Sequence, residues 1–109
     1  GAGYRHEIHN GTYAVSTAGV IMATKIMAQE WAQYNIRVNA IAPGHVHTRL
    51  GDSIFSVVPG YEEQVLQRVP MGRIAEPEET VGAMVYLASD ASSFVTGETL
   101  VADGGALLT

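Results

Sequence analysis

Hydrophobic positions recur every three or four residues from Tyr13 to about Tyr34, a spacing that predicts a helix. A helix that is apolar on two sides is normally buried on two sides. We therefore expect this helix to lie between its own sheet and a second layer of protein. Its apolar positions form two stripes, one with Ala14, Ala18, Ile21, Ala28 and Ala32 and the other with Val15, Met22 and Ile26.

The segments on either side of this helix have different patterns. Residues 1–12 predict a loop, because they lack the periodicity and contain an Asn10-Gly11 turn signal. Asn35 is the predicted stop of the helix. The run Ile36–Ala42 is short, apolar and β-branched, and Pro43-Gly44 closes it. It predicts a buried strand of a parallel sheet.

The second half of the chain predicts a mobile, irregular excursion from the sheet, followed by a helix and a strand. Residues 45–70 have irregular periodicity, with a short helix expected over Tyr61–Gln67. Pro77 suits the first position of the next helix, and the two following glutamates favour its positive end. "ETLVADGG" then predicts a strand and a turn. The core face of the later helix is predicted to contain Val81, Met84, Val85 and Ala88.

Taken in order, these elements predict an α/β fold, the C-terminal part of a doubly wound parallel sheet that is Rossmann-like. The arrangement is helix, strand, loop, helix and strand. In open α/β sheets, ligands bind beyond the carboxyl ends of the strands. The segment "PGHVHT" after the first strand is therefore the candidate binding loop.

Four residues of this loop are candidate ligand-binding residues. Pro43 and Gly44 turn the chain sharply, and Gly44 allows a ligand to approach the backbone closely. The backbone of Val46 and the hydroxyl of Thr48 can bind a polar amide. An ordinary connection between a strand and a helix is the alternative interpretation, since such loops are common.

Composition narrows the class of protein. The 109 residues are 47% hydrophobic and 16% charged, which is typical of a globular chain. A net charge of −5 favours neither nucleic acid nor an anionic membrane as a partner. With no cysteine and no apolar run of spanning length, we expect a cytoplasmic protein. The start at Gly1, without methionine, suggests a cut or processed end.

Tyr13 is a candidate proton donor and acceptor. A phenol titrates near 10 and works near neutral pH only where positive charge stabilises the phenolate. The alternative is a tyrosine that packs at the start of a helix. The histidines include two closely spaced pairs, but no acidic or thiol partner has suitable spacing, so no metal site is predicted.

Together these segments resemble the C-terminal part of the short-chain dehydrogenase/reductase family. The resemblance covers almost the whole chain and is carried by five motifs in the family's order and spacing: "YAVSTAGV", "YNIRVNAIAPG", "PGHVHT", "PMGRIAEPEETVGAMVYLASDASSFVTGE" and "VADGG". The wording "QEWAQYNIRVNAIAPG" is closest to members that act on sugar acids, polyols or 3-oxoacyl groups.

The resemblance implies a Rossmann-like sheet that binds NAD or NADP and transfers hydride between nicotinamide and a carbonyl or alcohol. It implies that Tyr13 exchanges the hydroxyl proton and that Pro43, Gly44, Val46 and Thr48 hold the nicotinamide carboxamide. Arg73, Gly97 and the Asp103–Gly105 motif match family positions that support the fold and the subunit contacts. A homo-oligomer, or pairing with a missing N-terminal half, is expected.

The chain departs from the family pattern in two ways. The family's catalytic serine would lie just before Gly1, and its glycine-rich phosphate loop further upstream. Thr17 stands where the family has a lysine that lowers the tyrosine pKa, and a threonine carries no charge. We therefore expect 1–109 to be one segment of a single dehydrogenase domain, inactive as a fragment. A non-catalytic oligomerisation or binding remnant is the alternative.

Overall fold

The computed structural model describes the backbone of residues 2–106 and the side chains from Val15 to Ala106. Four helices and two strands occur in this part of the chain. Short 3₁₀ turns follow α1 and α4, at Ala32–Tyr34 and Asp90–Ser92. The main elements are α1 (Ala2–Trp31), β1 (Ala40–Pro43), α2 (Arg49–Val57), α3 (Tyr61–Gln67), α4 (Pro77–Ala88) and β2 (Thr99–Ala102).

The two strands form a parallel pair. The Ala40 N–H donates to the Glu98 carbonyl, and the Gly44 N–H donates to the Ala102 carbonyl. The constant offset between donor and acceptor identifies the parallel register. This pair confirms the predicted α/β class and the strand predicted in "ETLVADGG".

The chain divides into two compact units, Gly1–Ala40 with Ser93–Thr99 and Ile41–Ser92 with Leu100–Thr109. In the first unit, the buried face of α1 contains Thr24 and Ala28, each 4% exposed. Thr24 donates its hydroxyl hydrogen to the Val20 carbonyl at 2.7 Å, so the buried hydroxyl has a hydrogen-bond partner within the helix. Ala28 lies directly beneath the Gly97 turn.

Asn35 ends the helical segment as predicted, directly after the 3₁₀ turn that follows α1. It adopts a left-handed conformation with φ of 60°, which a short amide side chain tolerates. The Asn35 N–H donates to the Ala32 carbonyl, and the Ile36 N–H donates to the Trp31 carbonyl. These two bonds form a Schellman motif, which satisfies carbonyls that the helix end would otherwise leave unpaired.

The start of α1 corrects the predicted loop over residues 1–12, because the helix begins at Ala2. The segment contains no proline, and a glycine inside a helix costs only about 1 kcal/mol relative to alanine. Extending an existing helix adds one hydrogen bond per residue fixed, whereas a new helix needs a costly nucleus. The helix after residue 12 therefore extends through the Asn10-Gly11 signal.

β1 is shorter than predicted, since residues 36–39 precede the ladder. Side chains supply part of the pairing there: Val38 N–H donates to the Thr96 hydroxyl, and Asn39 bonds to Val95 and Glu98 through its amide. The regular strand begins only at Ala40. The apolar pattern therefore located the strand correctly but not its first residue.

The second unit has its core between α3 and the segment before α4. The apolar residues Val65, Val69 and Ile74 are 6–7% exposed. The predicted helix over Tyr61–Gln67 is confirmed as α3. α2 was not predicted within the excursion, although Thr48 caps it and Asp52 lies in its first turn.

α4 begins at Pro77, as predicted. The Glu79 carboxylate accepts the Glu76 N–H at 2.8 Å, which satisfies one of the unpaired donors at the helix start. The predicted core face is wrong for this chain, because Val81, Met84 and Val85 are 53–59% exposed. The face is apolar, but nothing in the part of the chain that the structure describes covers it.

No helix among the described residues is both long enough and apolar enough to cross a membrane.

Candidate functional site

The predicted binding loop leaves the carboxyl end of β1, in the second unit. Gly44 donates its N–H to the Ala102 carbonyl at 3.0 Å, which holds the loop against the end of β2. A Cβ at position 44 would lie 2.8 Å from the Asp103 Cα and 2.9 Å from its Cβ. Glycine is therefore required by the close approach of the Asp103 backbone.

Val46 forms an isolated parallel bridge with Ala75, in the segment before α4. The His47 N–H donates to the Ala75 carbonyl at 2.8 Å, and the Ala75 N–H donates to the His45 carbonyl at 3.0 Å. In such a bridge the neighbours of the central residue make both bonds. The N–H and C=O of Val46 itself therefore point away from Ala75.

Thr48 is the N-cap of α2. Its extended backbone has φ of −135° and ψ of 158°, and its hydroxyl oxygen accepts the Gly51 N–H at 2.9 Å. A threonine hydroxyl has two acceptor lone pairs and one hydrogen to donate. Because the Gly51 bond uses only a lone pair, the hydroxyl hydrogen can still be donated to a carbonyl oxygen.

His47 and Asp52 are paired across the start of α2. His47 Nδ1 lies 2.8 Å from Asp52 Oδ1, and both side chains are partly exposed. The hydrogen bond to Asp52 raises the pKa of His47 above 6.5, and the carboxylates of Glu76 and Glu62 act in the same direction. Sequence reasoning missed Asp52. Its position in the first turn of a helix capped by Thr48 was the available signal.

A shallow cavity of about 160 Å³ lies beside this loop, within the second unit. His45 and Asp103, which follow the carboxyl ends of the two strands, line it together with Thr80. At its edge, Arg73 donates two hydrogen bonds to the Glu79 carboxylate, at 2.7 and 2.8 Å. This pairing lowers the pKa of Glu79 to about 2, and the bond from the Glu76 N–H contributes further.

Tyr13 and Thr17 are in the first unit, on α1. Tyr13 lies on the helical backbone, but its side chain is outside the described residues. Positions 13 and 17 are one turn apart and therefore share a face of α1. Thr17 is half-buried and supplies no cation at that turn.

A family model described as "Enoyl-(Acyl carrier protein) reductase" matches residues 2–106. The D-arabinitol 2-dehydrogenase [ribulose-forming] of Candida tropicalis is 48% identical over 94 residues, which are 85% of this chain and 33% of that protein. The 3-oxoacyl-[acyl-carrier-protein] reductase of Thermotoga maritima is 45% identical over 96 residues, 88% of this chain and 38% of that protein.

Solved structures that resemble this chain are also of dehydrogenases. A gluconate 5-dehydrogenase from Burkholderia cenocepacia, in complex with NADP and tartrate, superposes with a TM-score of 0.79 at 38% identity. The alignment covers 89% of this chain and 38% of that chain. The chain thus spans about a third of the length of the curated relatives that it matches.

Proposed function

Since the chain belongs to the short-chain dehydrogenase/reductase family, whose C-terminal segment it matches, we propose that it forms the nicotinamide-binding part of an NAD(P)-dependent oxidoreductase. The observation that carries this proposal is the Gly44–Thr48 loop. The loop is held at both ends by backbone hydrogen bonds and lies at the carboxyl end of a parallel strand. Ligands bind at that edge in open α/β sheets.

The loop offers the groups that a carboxamide requires. An amide ligand has a carbonyl that accepts and an NH₂ group that donates, and the Val46 backbone has the complementary pair. The Thr48 hydroxyl can donate a further hydrogen bond to the carbonyl oxygen. Pro43 and Gly44 shape the turn, and the absence of a Cβ at Gly44 allows the Asp103 backbone to approach closely.

In the proposed reaction a bound nicotinamide supplies or accepts the hydride, at a carbonyl or alcohol carbon of the substrate. Tyr13 would move the hydroxyl proton. The names of the relatives support a sugar acid, polyol or 3-oxoacyl substrate. We place the protein in the cytoplasm, because a chain without cysteine fits a reducing compartment.

We further propose that residues 1–109 form one segment of a single Rossmann-like domain and that the phosphate-gripping half lies outside them. The sequence contains no glycine-rich phosphate-loop motif. Backbone N–H groups of such a loop normally bind the cofactor phosphates. The chain by itself is therefore expected to give no hydride transfer. A polypeptide that supplies the phosphate-binding half is expected to complete the site, and the completed protein is expected to be a homo-oligomer.

The test separates the two halves of the cofactor. In a titration of the chain followed by amide NMR shifts, nicotinamide mononucleotide should perturb Val46 and Thr48, because it carries the carboxamide. Adenosine monophosphate is the matched control, because it is also a phosphorylated nucleoside but has no carboxamide. Equal perturbation by both compounds, or none at these residues, contradicts the proposed site.

A non-catalytic binding or oligomerisation role is the second candidate. Thr17 favours it, because the position one turn after Tyr13 provides no positive charge to stabilise a phenolate. In this role the loop can still bind nicotinamide while proton transfer fails. Binding without turnover, in a chimera that includes a complete phosphate-binding half, would support this candidate.

A further inference from the structure

The His47–Asp52 pair spans the residue on which the proposed site depends. His47 precedes Thr48, and Asp52 lies one turn into α2, so their side-chain contact of 2.8 Å closes a small ring around Thr48. The Asp52 N–H also donates to the Thr48 carbonyl at 2.9 Å. Side chain and backbone of Asp52 therefore constrain the same short segment.

Thr48 has anchors on both sides. On the side of β1, the bridge to Ala75 holds the backbone of His47. On the side of α2, the Gly51 N–H occupies one lone pair of the Thr48 hydroxyl. The orientation of the Thr48 hydroxyl hydrogen therefore depends on two neighbouring parts of the chain. These are the first turn of α2 and the segment around His47 that is bridged to Ala75, and their relative position must be fixed. The His47–Asp52 contact is the side-chain link between the two.

We propose that Asp52 is a positioning residue that, through His47, holds the Thr48 hydroxyl towards the nicotinamide carboxamide, and that this hold weakens as pH rises. The inference rests on the proposed function only for the identity of the ligand. The link itself is a property of the second unit and can be measured without any cofactor.

The direction of the pH effect follows from the charges around His47. Asp52 of α2, Glu76 before α4 and Glu62 of α3 all favour the imidazolium. The pKa of folded His47 is therefore above its ordinary value of 6.5. The charged link is complete below about pH 6.5 and is lost as pH rises through the raised pKa. A neutral imidazole can still donate from Nδ1, so the hold weakens without disappearing.

The first measurement uses the 109-residue chain without cofactor. Amide exchange at Gly51, expressed as a protection factor, should fall several-fold between pH 6 and pH 8.5 in the native sequence. In Asp52→Asn the protection factor should already be low at pH 6, and the His47 titration should shift to lower pH. Glu63→Gln removes an acidic charge from α3 and is the matched control, with native behaviour expected. The same His47 titration in native protein and Asp52→Asn overturns the link.

The second measurement adds nicotinamide mononucleotide at pH 6. Asp52→Asn should weaken its binding several-fold, Glu63→Gln should leave it unchanged, and Asp52→Glu should recover part of it. Equal affinity in native protein and Asp52→Asn overturns the positioning role alone. If the native chain does not bind this compound, the proposed function and the positioning role fail together, while the first measurement still decides whether the link exists.

Discussion

The loop after β1 and the helix that carries Tyr13 differ in how much of their environment the chain supplies. Backbone bonds from Gly44 to Ala102 and from His47 to Ala75 fix the loop. On α1, by contrast, Val15 and Met22 are 75% and 58% exposed, and the described burial is limited to one face near Thr24. A helix with such exposed apolar residues normally packs against further protein.

This difference has a functional meaning. The groups proposed for the nicotinamide carboxamide are arranged within one compact unit. The residue proposed for proton transfer, Tyr13, is on a helix whose second apolar stripe is uncovered in the described part of the chain. Cofactor recognition at the loop should therefore be measurable in this chain, whereas proton transfer should require additional protein.

The largest expected effect comes from adding one methyl group to each region. Gly44→Ala would place a Cβ 2.8 Å from the Asp103 backbone and should destabilise the chain by about 1–3 kcal/mol, as overpacking does. Gly19→Ala on α1 meets nothing within 4 Å and should stabilise by up to about 1 kcal/mol through helix propensity. Urea unfolding followed by circular dichroism measures both. A change of the same sign in both variants would contradict the comparison.

The second prediction concerns the charge missing from α1. Thr17→Lys places a cation one turn from Tyr13 and should lower the pKa of Tyr13 by about one unit, a tenfold change in phenolate at neutral pH. Absorbance or NMR titration of the tyrosines measures the shift. In a chimera that completes the dehydrogenase domain, alcohol oxidation at pH 7 should rise by a similar factor.

The matched control for this variant is Thr17→Gln, which has comparable polarity and no charge. If a threonine chimera is already fully active near pH 7, a group other than residue 17 stabilises the phenolate. Such a result would remove Thr17 from the account of proton transfer.

The third prediction separates the two roles of Thr48. Thr48→Val removes the cap of α2, which should cost about 0.5–2 kcal/mol, and removes the hydroxyl that is proposed to bind the carboxamide. Thr48→Ser keeps both functions and is the control. Unfolding measures the first loss, and nicotinamide mononucleotide binding measures the second. If Val and Ser variants bind equally, Thr48 does not contact the ligand.

Local signals predicted much of the fold. Asn35 ended the 3₁₀ turn after α1, Pro77 began α4, and the short helix α3 was located correctly, because caps and proline act through neighbouring residues. The loop after β1 lies where the rule for strand ends predicts a ligand site in a parallel sheet, and its binding role stays a prediction. The starts of α1 and β1 were missed because cooperative extension and side-chain pairing decided them.

Other features depended on contacts that no local pattern contains. The pairing of Asp52 with His47 requires the turn into α2, which irregular hydrophobic spacing concealed. The exposure of Val85 on α4 depends on what else covers the helix, and periodicity identifies an apolar face without identifying its partner. Sequence therefore located the loop that we propose as the binding site, but not the His47–Asp52 link that we propose to orient Thr48.

The smallest expected effect tests whether the support of the loop extends to α4. Ala75, which forms the bridge with Val46, lies between Arg73 and the start of α4, where the Arg73–Glu79 ion pair forms. The pKa of Glu79 is lowered to about 2, below its ordinary value of 4.5. Its contribution to stability is therefore present above pH 4.5 and is lost as pH falls towards 2.

We therefore expect amide protection at Ala75 and His47 to fall between pH 4.5 and pH 2, while protection at Ala28 on α1 follows global unfolding alone. Arg73→Gln should reduce protection at Ala75 already at pH 7, but only slightly, because the ion pair is exposed and exposed pairs contribute little. Glu78→Gln changes a charge in the same helical turn and serves as the control. If Arg73→Gln matches the native chain from pH 7 to pH 2, the bridge at Val46 is independent of this ion pair. In that case the bridge to Ala75 stabilises the loop, and the ion pair at the start of α4 does not contribute to that stability.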